Sequence, residues 1–126
     1  MQYIPRVVDK EINELLEIMG AVLIEGCKWC GKSTTGMHHA KSFIEFQNPD
    51  KKQVYDKIRN TKPSLFLNGE KPRMLDEWQM YPVVWDAIRT DVDHTGEKGQ
   101  YILTGSARPS DGETMHTGTG RISRVI

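Results

Sequence analysis

Gly26-Cys27-Lys28-Trp29-Cys30-Gly31-Lys32-Ser33 matches the pattern G-x-x-x-x-G-K-[ST] without a mismatch. The chemistry of such a segment is phosphate binding. Glycines let the backbone curl until several N–H groups face one anion. A helix starting near Lys32 adds the positive end of its dipole. Lys32 is then placed to reach the β- and γ-phosphates of a nucleotide, and the Ser33 hydroxyl to ligate Mg²⁺. Gly26, Cys27, Lys28, Trp29, Cys30, Gly31, Lys32, Ser33 and Thr34 are accordingly the expected nucleotide-binding segment. At ordinary residue frequencies a chance match in a chain of this length has a probability of roughly 0.4%. The match therefore outweighs a glycine-rich turn with an accidental lysine, all the more because an apolar run precedes it and helical sequence follows.

Phosphoryl transfer also needs the metal held and a nucleophile positioned. Arg73-Met74-Leu75-Asp76-Glu77 supplies a short apolar strand ending in two carboxylates. Asp76 is expected to hold Mg²⁺, through water, and Glu77 to orient and deprotonate the attacking water. The C-terminal end of a parallel strand shares its sheet edge with the phosphate loop, where open α/β sheets bind ligands. An isolated Asp-Glu is more often a solvated turn; behind Met74-Leu75 and downstream of a phosphate loop, the functional reading prevails. The glutamate favours hydrolysis over transfer to a small-molecule hydroxyl. Tyr101-Ile102-Leu103-Thr104-Gly105-Ser106 is a second apolar strand ending in small polar groups. Its Thr104 or Ser106 is placed to sense phosphate or hold the attacking water. Arg108 and Arg121 are candidates to neutralise transition-state charge, although arginines in a Gly/Thr-rich tail are usually solvated surface residues.

The elements that must position these groups follow from periodicity. Val8, Ile12, Leu15, Leu16 and Met19 recur at helical spacing, and Gly20 is the expected stop. Ala21 to Ile24 read as a buried strand, and a helix is expected from near Lys32. Ser42 to Phe46 read as a strand. Asn48-Pro49-Asp50 is a turn and helix start, with Val54 and Ile58 on a helix that ends before Pro63. Arg73 to Asp76 and Gln100 to Thr104 are strands, separated by a helix whose first turn holds Pro82. Ile122 to Ile126 have the composition of a further strand. This βαβ alternation predicts an α/β fold, a mostly parallel sheet with helices on both faces.

Composition narrows the alternatives. The chain has 126 residues, with 17 Lys and Arg balancing 17 Asp and Glu. One domain is the expectation for that length, and zero net charge offers no global attraction for nucleic acid or anionic membrane. The longest aliphatic run, Ala21 to Ile24, is far below the ~20 residues of a bilayer span. Charges interrupt the apolar residues of the N-terminus, unlike a secretory signal; the expected location is the cytoplasm. Cys27-Lys28-Trp29-Cys30 invites a thiol-redox reading, and Cys27, Cys30, His38 and His39 a zinc site. Both cysteines, however, fill the variable positions of a complete phosphate loop. Tyr3, Trp29 and Trp78 are aromatic candidates for stacking on adenine, with core packing the commoner use. Lys51, Lys52, Lys57, Arg59 and Lys62, with Asp50 and Asp56 among them, read as a solvated helix face ahead of a DNA contact.

Taken together, these blocks resemble the bacterial and archaeal AAA-like P-loop ATP-binding proteins that carry a C-terminal domain of unknown function. Tyr3 to Asp9 is similar to the opening segment of that family. Leu75-Asp76-Glu77-Trp78-Gln79 with Val84-Trp85-Asp86-Ala87-Ile88-Arg89 resembles its Walker B block. Leu103 to Pro109 resembles its sensor strand, and Gly118-Thr119-Gly120-Arg121 its glycine-arginine turn. The resemblance implies a three-layer P-loop NTPase core, ATP and Mg²⁺ as cofactors, and hydrolysis that drives a conformational change in a larger protein. A nucleotide-binding interaction module without hydrolysis is the alternative. It also implies that the Thr104 strand lies between the Asp76 strand and the phosphate-loop strand. A central fifth strand, a helical lid and a C-terminal domain are expected to follow, so residues 1–126 read as a nucleotide-binding domain incomplete at its C-terminus. That reading leaves one edge of the phosphate-loop strand open for homo-oligomerisation and makes weak turnover the expectation for this fragment. A nucleic acid or protein partner would be engaged through the C-terminal domain.

Overall fold

The computed structural model describes residues 7–26, 32–106 and 122–125. Strands β1 (Ala21–Gly26), β2 (Ser42–Glu45), β3 (Arg73–Asp76), β4 (Tyr101–Ser106) and β5 (Ile122–Val125) form one sheet. Their order is β2-β3-β4-β1-β5, and every pairing is parallel. The connections carry helices α1 (Val7–Ile18), α2 (Lys32–His39), α3 (Lys52–Thr61) and α4 (Val83–Thr95). The Thr104 strand therefore does lie between the Asp76 strand and the phosphate-loop strand.

The fifth strand corrects an expectation. Ile122 pairs with Ala21 and Val125 with Ile24, so the flank of β1 expected to be open is covered. Among the described residues β5 is also an edge strand, not a central one. Self-association through an unpaired edge of β1 loses its structural basis.

Side chains of a strand alternate between faces, and here both faces are apolar. Val22, Ile24, Met74 and Ile102 meet Ile12 of α1, with Leu15, Leu16 and Ala40 packed around them. The intervening residues Ala21, Leu23, Leu75 and Leu103 meet Val84, Trp85, Ile88 and Val92 of α4. Three layers result. All four residues of β3 are buried, the apolar pair Met74-Leu75 flanked by a buried arginine and a buried carboxylate. Gly36 lets α2 approach the sheet. A Cβ there would stand 2.7 Å from Met74 Sδ and 3.2 Å from Thr104 Cγ2.

Two features escape periodicity. A 3-10 segment, Pro63–Leu67, buries Phe66 and Leu67 beneath α4. Arg73, at the start of β3, is buried and donates through Nε to Phe66 O at 2.8 Å and through Nη1 to Ser42 Oγ at 3.1 Å. Burial lowers its pKa, and these acceptors are neutral oxygens. Asn48 caps the short turn Pro49–Lys51, its Oδ1 accepting from Asp50 N at 3.0 Å. The basic residues of α3 are partly paired on the surface: Lys52 Nζ lies 2.8 Å and Arg59 Nη2 3.7 Å from Asp56.

Phe46, Tyr55, Phe66 and Tyr81 form an aromatic cluster with ring centroids 5.0–6.0 Å apart. Tyr81 O–H donates to Asp56 at 2.7 Å, and Tyr101 O–H donates to Asp91. Burial first, then the carboxylate acceptor, pushes Tyr81 up to about 12 and raises Tyr101 as well. Both phenols hold their protons longer in the folded protein than in the unfolded chain, where tyrosine titrates near ~10. The associated stability is complete below pH about 10 and is lost as pH rises through the folded values. Thermal unfolding followed from neutral to alkaline pH should show the midpoint falling above pH about 10. Tyr81→Phe should reduce that fall; an identical pH dependence in the variant would refute the assignment.

Candidate functional site

Asp76 closes β3, and its side chain projects to the α2 face of the sheet, as Met74 does two residues earlier. Thr104 holds the equivalent face on β4, two residues after Ile102. The sheet thereby brings a carboxylate and a hydroxyl together. Thr104 Oγ1 donates to Asp76 Oδ1, and Gln47 Nε2, just beyond β2, donates to Asp76 Oδ2 at 2.6 Å. Asp76 and Thr104 are buried, at 2% and 0% exposure, so these donors replace water.

Glu77 leaves the strand in the left-handed region, φ 59° and ψ 53°. For a residue with a Cβ this costs about 1–2 kcal/mol. The surroundings hold it there. Glu77 N–H donates to Thr104 Oγ1 at 3.1 Å, and a 3-10 turn, Trp78–Met80, follows at once. The Thr104 hydroxyl is thus used twice, donating to Asp76 and accepting from Glu77. Its proton faces the carboxylate beside it, a use that its strand-end position alone did not predict. Gln79 Nε2 donates to Glu77 Oε2.

The phosphate-loop strand ends at the same edge. Gly26 pairs in register with Ser106, and Glu25 with Gly105. Lys32 and Ser33 begin α2, and Thr34 is an exposed residue of its first turn. Cys27, Lys28, Trp29, Cys30, Gly31, Arg108 and Arg121 lie outside the described residues, as does Tyr3. Trp78 is buried and tilted against Trp85 at 5.0 Å between ring centroids, which makes it core and not an adenine platform. His39 of the zinc reading is committed elsewhere. Its Nε2 lies 2.8 Å from Asp9 Oδ1 and its Nδ1 3.1 Å from Asn13 Oδ1, tying α2 to α1.

Sequence reasoning missed Gln47 and the role of Gln79. Gln47 stands two residues beyond β2, so the strand-end logic that finds Asp76 applies to it too. A groove between α4 and the 62–68 segment, lined by Leu65, Lys71, Val83, Asp91 and Tyr101, opens where β4 begins. It sits at the opposite end of the strands from the carboxylates.

Hard oxygen donors suit Mg²⁺. Asp76 is a buried carboxylate that accepts from two neutral donors, Thr104 O–H and Gln47 N–H. A carboxylate oxygen so oriented fits a divalent cation.

Fold and site define a P-loop NTPase-like α/β core. Residues 19–126 match the family described as AAA domain, and the chain belongs to that family. Such domains generally bind ATP with Mg²⁺. No curated protein gave a match. No described helix is long and apolar enough to cross a membrane.

Proposed function

We propose that the protein binds ATP with Mg²⁺ and hydrolyses it, and that hydrolysis drives a conformational change in a larger protein. The observation carrying this reading is the joint tethering of Asp76 and Glu77 to Thr104, at the sheet edge where β1 runs into the phosphate loop. Residues 1–126 serve as the nucleotide-binding domain: α1 precedes the family match yet packs Ile12 into the same core.

In this reading residues 26–34 hold the nucleotide, with Lys32 on the β- and γ-phosphates. Ser33 and Asp76 hold Mg²⁺, which supplies Lewis-acid stabilisation of phosphate charge when bound. Glu77 takes the proton of the attacking water. Ser106 lies beside the phosphate-loop strand, where it orients the γ-phosphate or the water, and Arg121 neutralises the charge that develops as the bond between the γ-phosphorus and the departing ADP breaks.

Removing the Lys32 ammonium tests the nucleotide assignment. A charge-assisted hydrogen bond is worth about 1.5–3 kcal/mol. Lys32→Ala should therefore bind Mg²⁺-ATP about 10–150-fold more weakly for each such hydrogen bond that the ammonium makes. Calorimetric titration with ATP and with ADP measures this. Equal affinity in the variant would remove the phosphate loop from the reading. Single-turnover hydrolysis alongside the titration separates an ATPase from a module that only binds.

A further inference from the structure

Gln79 carries an unusual cost. Its Oε1 is buried and has no hydrogen-bond partner among the described residues. The amide cannot simply be turned round to cure this, because Nε2 must face the Glu77 carboxylate, to which it donates. Nor is the amide there for want of space elsewhere. It lies over Gly105, where a Cβ would stand 2.8 Å from Gln79 Oε1 and 2.8 Å from Trp78 Nε1. Gly105 is thus a cradle at the end of β4 that admits the carboxamide and nothing larger beneath it. A buried acceptor without a donor destabilises a fold. A methionine or leucine would fill the same space without that penalty. The polar side chain is therefore explained by what its other end does.

We propose that Gln79 is a positioning residue for Glu77: it fixes the carboxylate through Oε2, at a stability cost borne by its own unpartnered Oε1. The backbone of Glu77 is already anchored on Thr104. Gln79 supplies the second anchor, on the side chain. One carboxylate oxygen is then held by the protein, and the carboxylate as a whole is kept from rotating through the conformers open to an unrestrained glutamate. The inference rests on the proposed role of Glu77 in hydrolysis.

The test is Gln79→Met, which keeps the length and bulk of the side chain and removes both the donor and the orphaned acceptor. Three quantities are read: the thermal unfolding midpoint, the Kd for Mg²⁺-ATP, and the single-turnover rate with enzyme in excess. A positioning role predicts an unchanged or raised midpoint, a Kd within about threefold of wild type, and a rate lowered by about 10–100-fold. In the Glu77→Gln background the same substitution should not lower the residual rate further, since Gln79 acts only through that carboxylate. Gln79→Glu, which puts a second carboxylate against the first, should be slower than wild type as well. A merely structural glutamine would instead lower the midpoint. A wild-type rate in Gln79→Met, with Glu77→Gln still slow, would overturn the positioning role and leave the ATPase reading standing. An additive loss in the double variant would overturn it too. If wild type and Glu77→Gln, compared in the full-length protein, turn over equally, it is the ATPase reading that fails.

Discussion

Glu77→Gln should leave Mg²⁺-ATP affinity close to wild type and slow single-turnover hydrolysis by about 10²–10⁴-fold, the range for loss of a positioned acid or base. The substitution preserves shape. A glutamine amide oxygen still accepts from Gln79 Nε2, and the backbone N–H of the residue still donates to Thr104 Oγ1. What disappears is the group able to take a proton from water. Asp76→Asn should behave differently. It removes a negative charge from a buried position held by Thr104 and Gln47, so Mg²⁺-dependent binding and turnover should fall together. Quench-flow hydrolysis and calorimetry on the two variants separate the roles. Equal loss of affinity in both would show that the carboxylates do not divide the work in this way.

Much of the fold is legible in the sequence because the elements are short and sharply punctuated. Arg73 to Asp76 reads as a strand and is one: the run is too short for a helix and sits between the Pro72 and Glu77 breaks, and all four of its residues are buried between the two helical layers. Gly20 and Pro63 mark where α1 and α3 give way, and Pro82 stands immediately before α4. The 3-10 segment at Pro63–Leu67 is not legible, because Phe66 and Leu67 are buried without any period to announce them.

The site divides in the same way. Asp76 and Glu77 declare themselves as adjacent carboxylates after an apolar strand. Gln47 and Gln79 do not: Gln47 meets Asp76 only once the ends of β2 and β3 lie side by side, and Gln79 meets Glu77 only through the tight turn that follows the left-handed Glu77. Thr104 is conspicuous at a strand end, but its partners are not. Its distance in sequence from Asp76 hides the fact that β3 and β4 pair in parallel from Arg73 and Tyr101 onward, setting Leu75 beside Leu103. One step further along each strand puts Thr104 against Asp76 and beneath the backbone of Glu77. Proximity to the nucleotide edge suggests phosphate; register makes the carboxylates its partners.

Thr104→Val is accordingly expected to do more damage than its size implies. The substitution conserves volume and leaves the Cγ2 methyl toward α2 intact, the one that a Cβ on Gly36 would approach to 3.2 Å. It removes one hydroxyl, and with it both an acceptor for Glu77 N–H and a donor to Asp76 Oδ1. Each buried polar group left without a partner costs about 1–3 kcal/mol. Two such losses at a position with 0% exposure, where water cannot substitute, predict a destabilisation of about 2–6 kcal/mol. The left-handed backbone at Glu77 should relax once its N–H is released, since that conformation is held at a cost. Hydrolysis should then fall by at least the factor expected for Gln79→Met, because the backbone anchor of Glu77 and the buried carboxylate proposed to hold Mg²⁺ are disturbed together. Thr104→Ser keeps the hydroxyl and should recover most of the activity, while losing only the packing of a methyl, about 1 kcal/mol. Denaturant unfolding measures the first quantity and single-turnover hydrolysis the second. A valine variant as stable as wild type would mean that the hydroxyl does not bridge the two carboxylate residues.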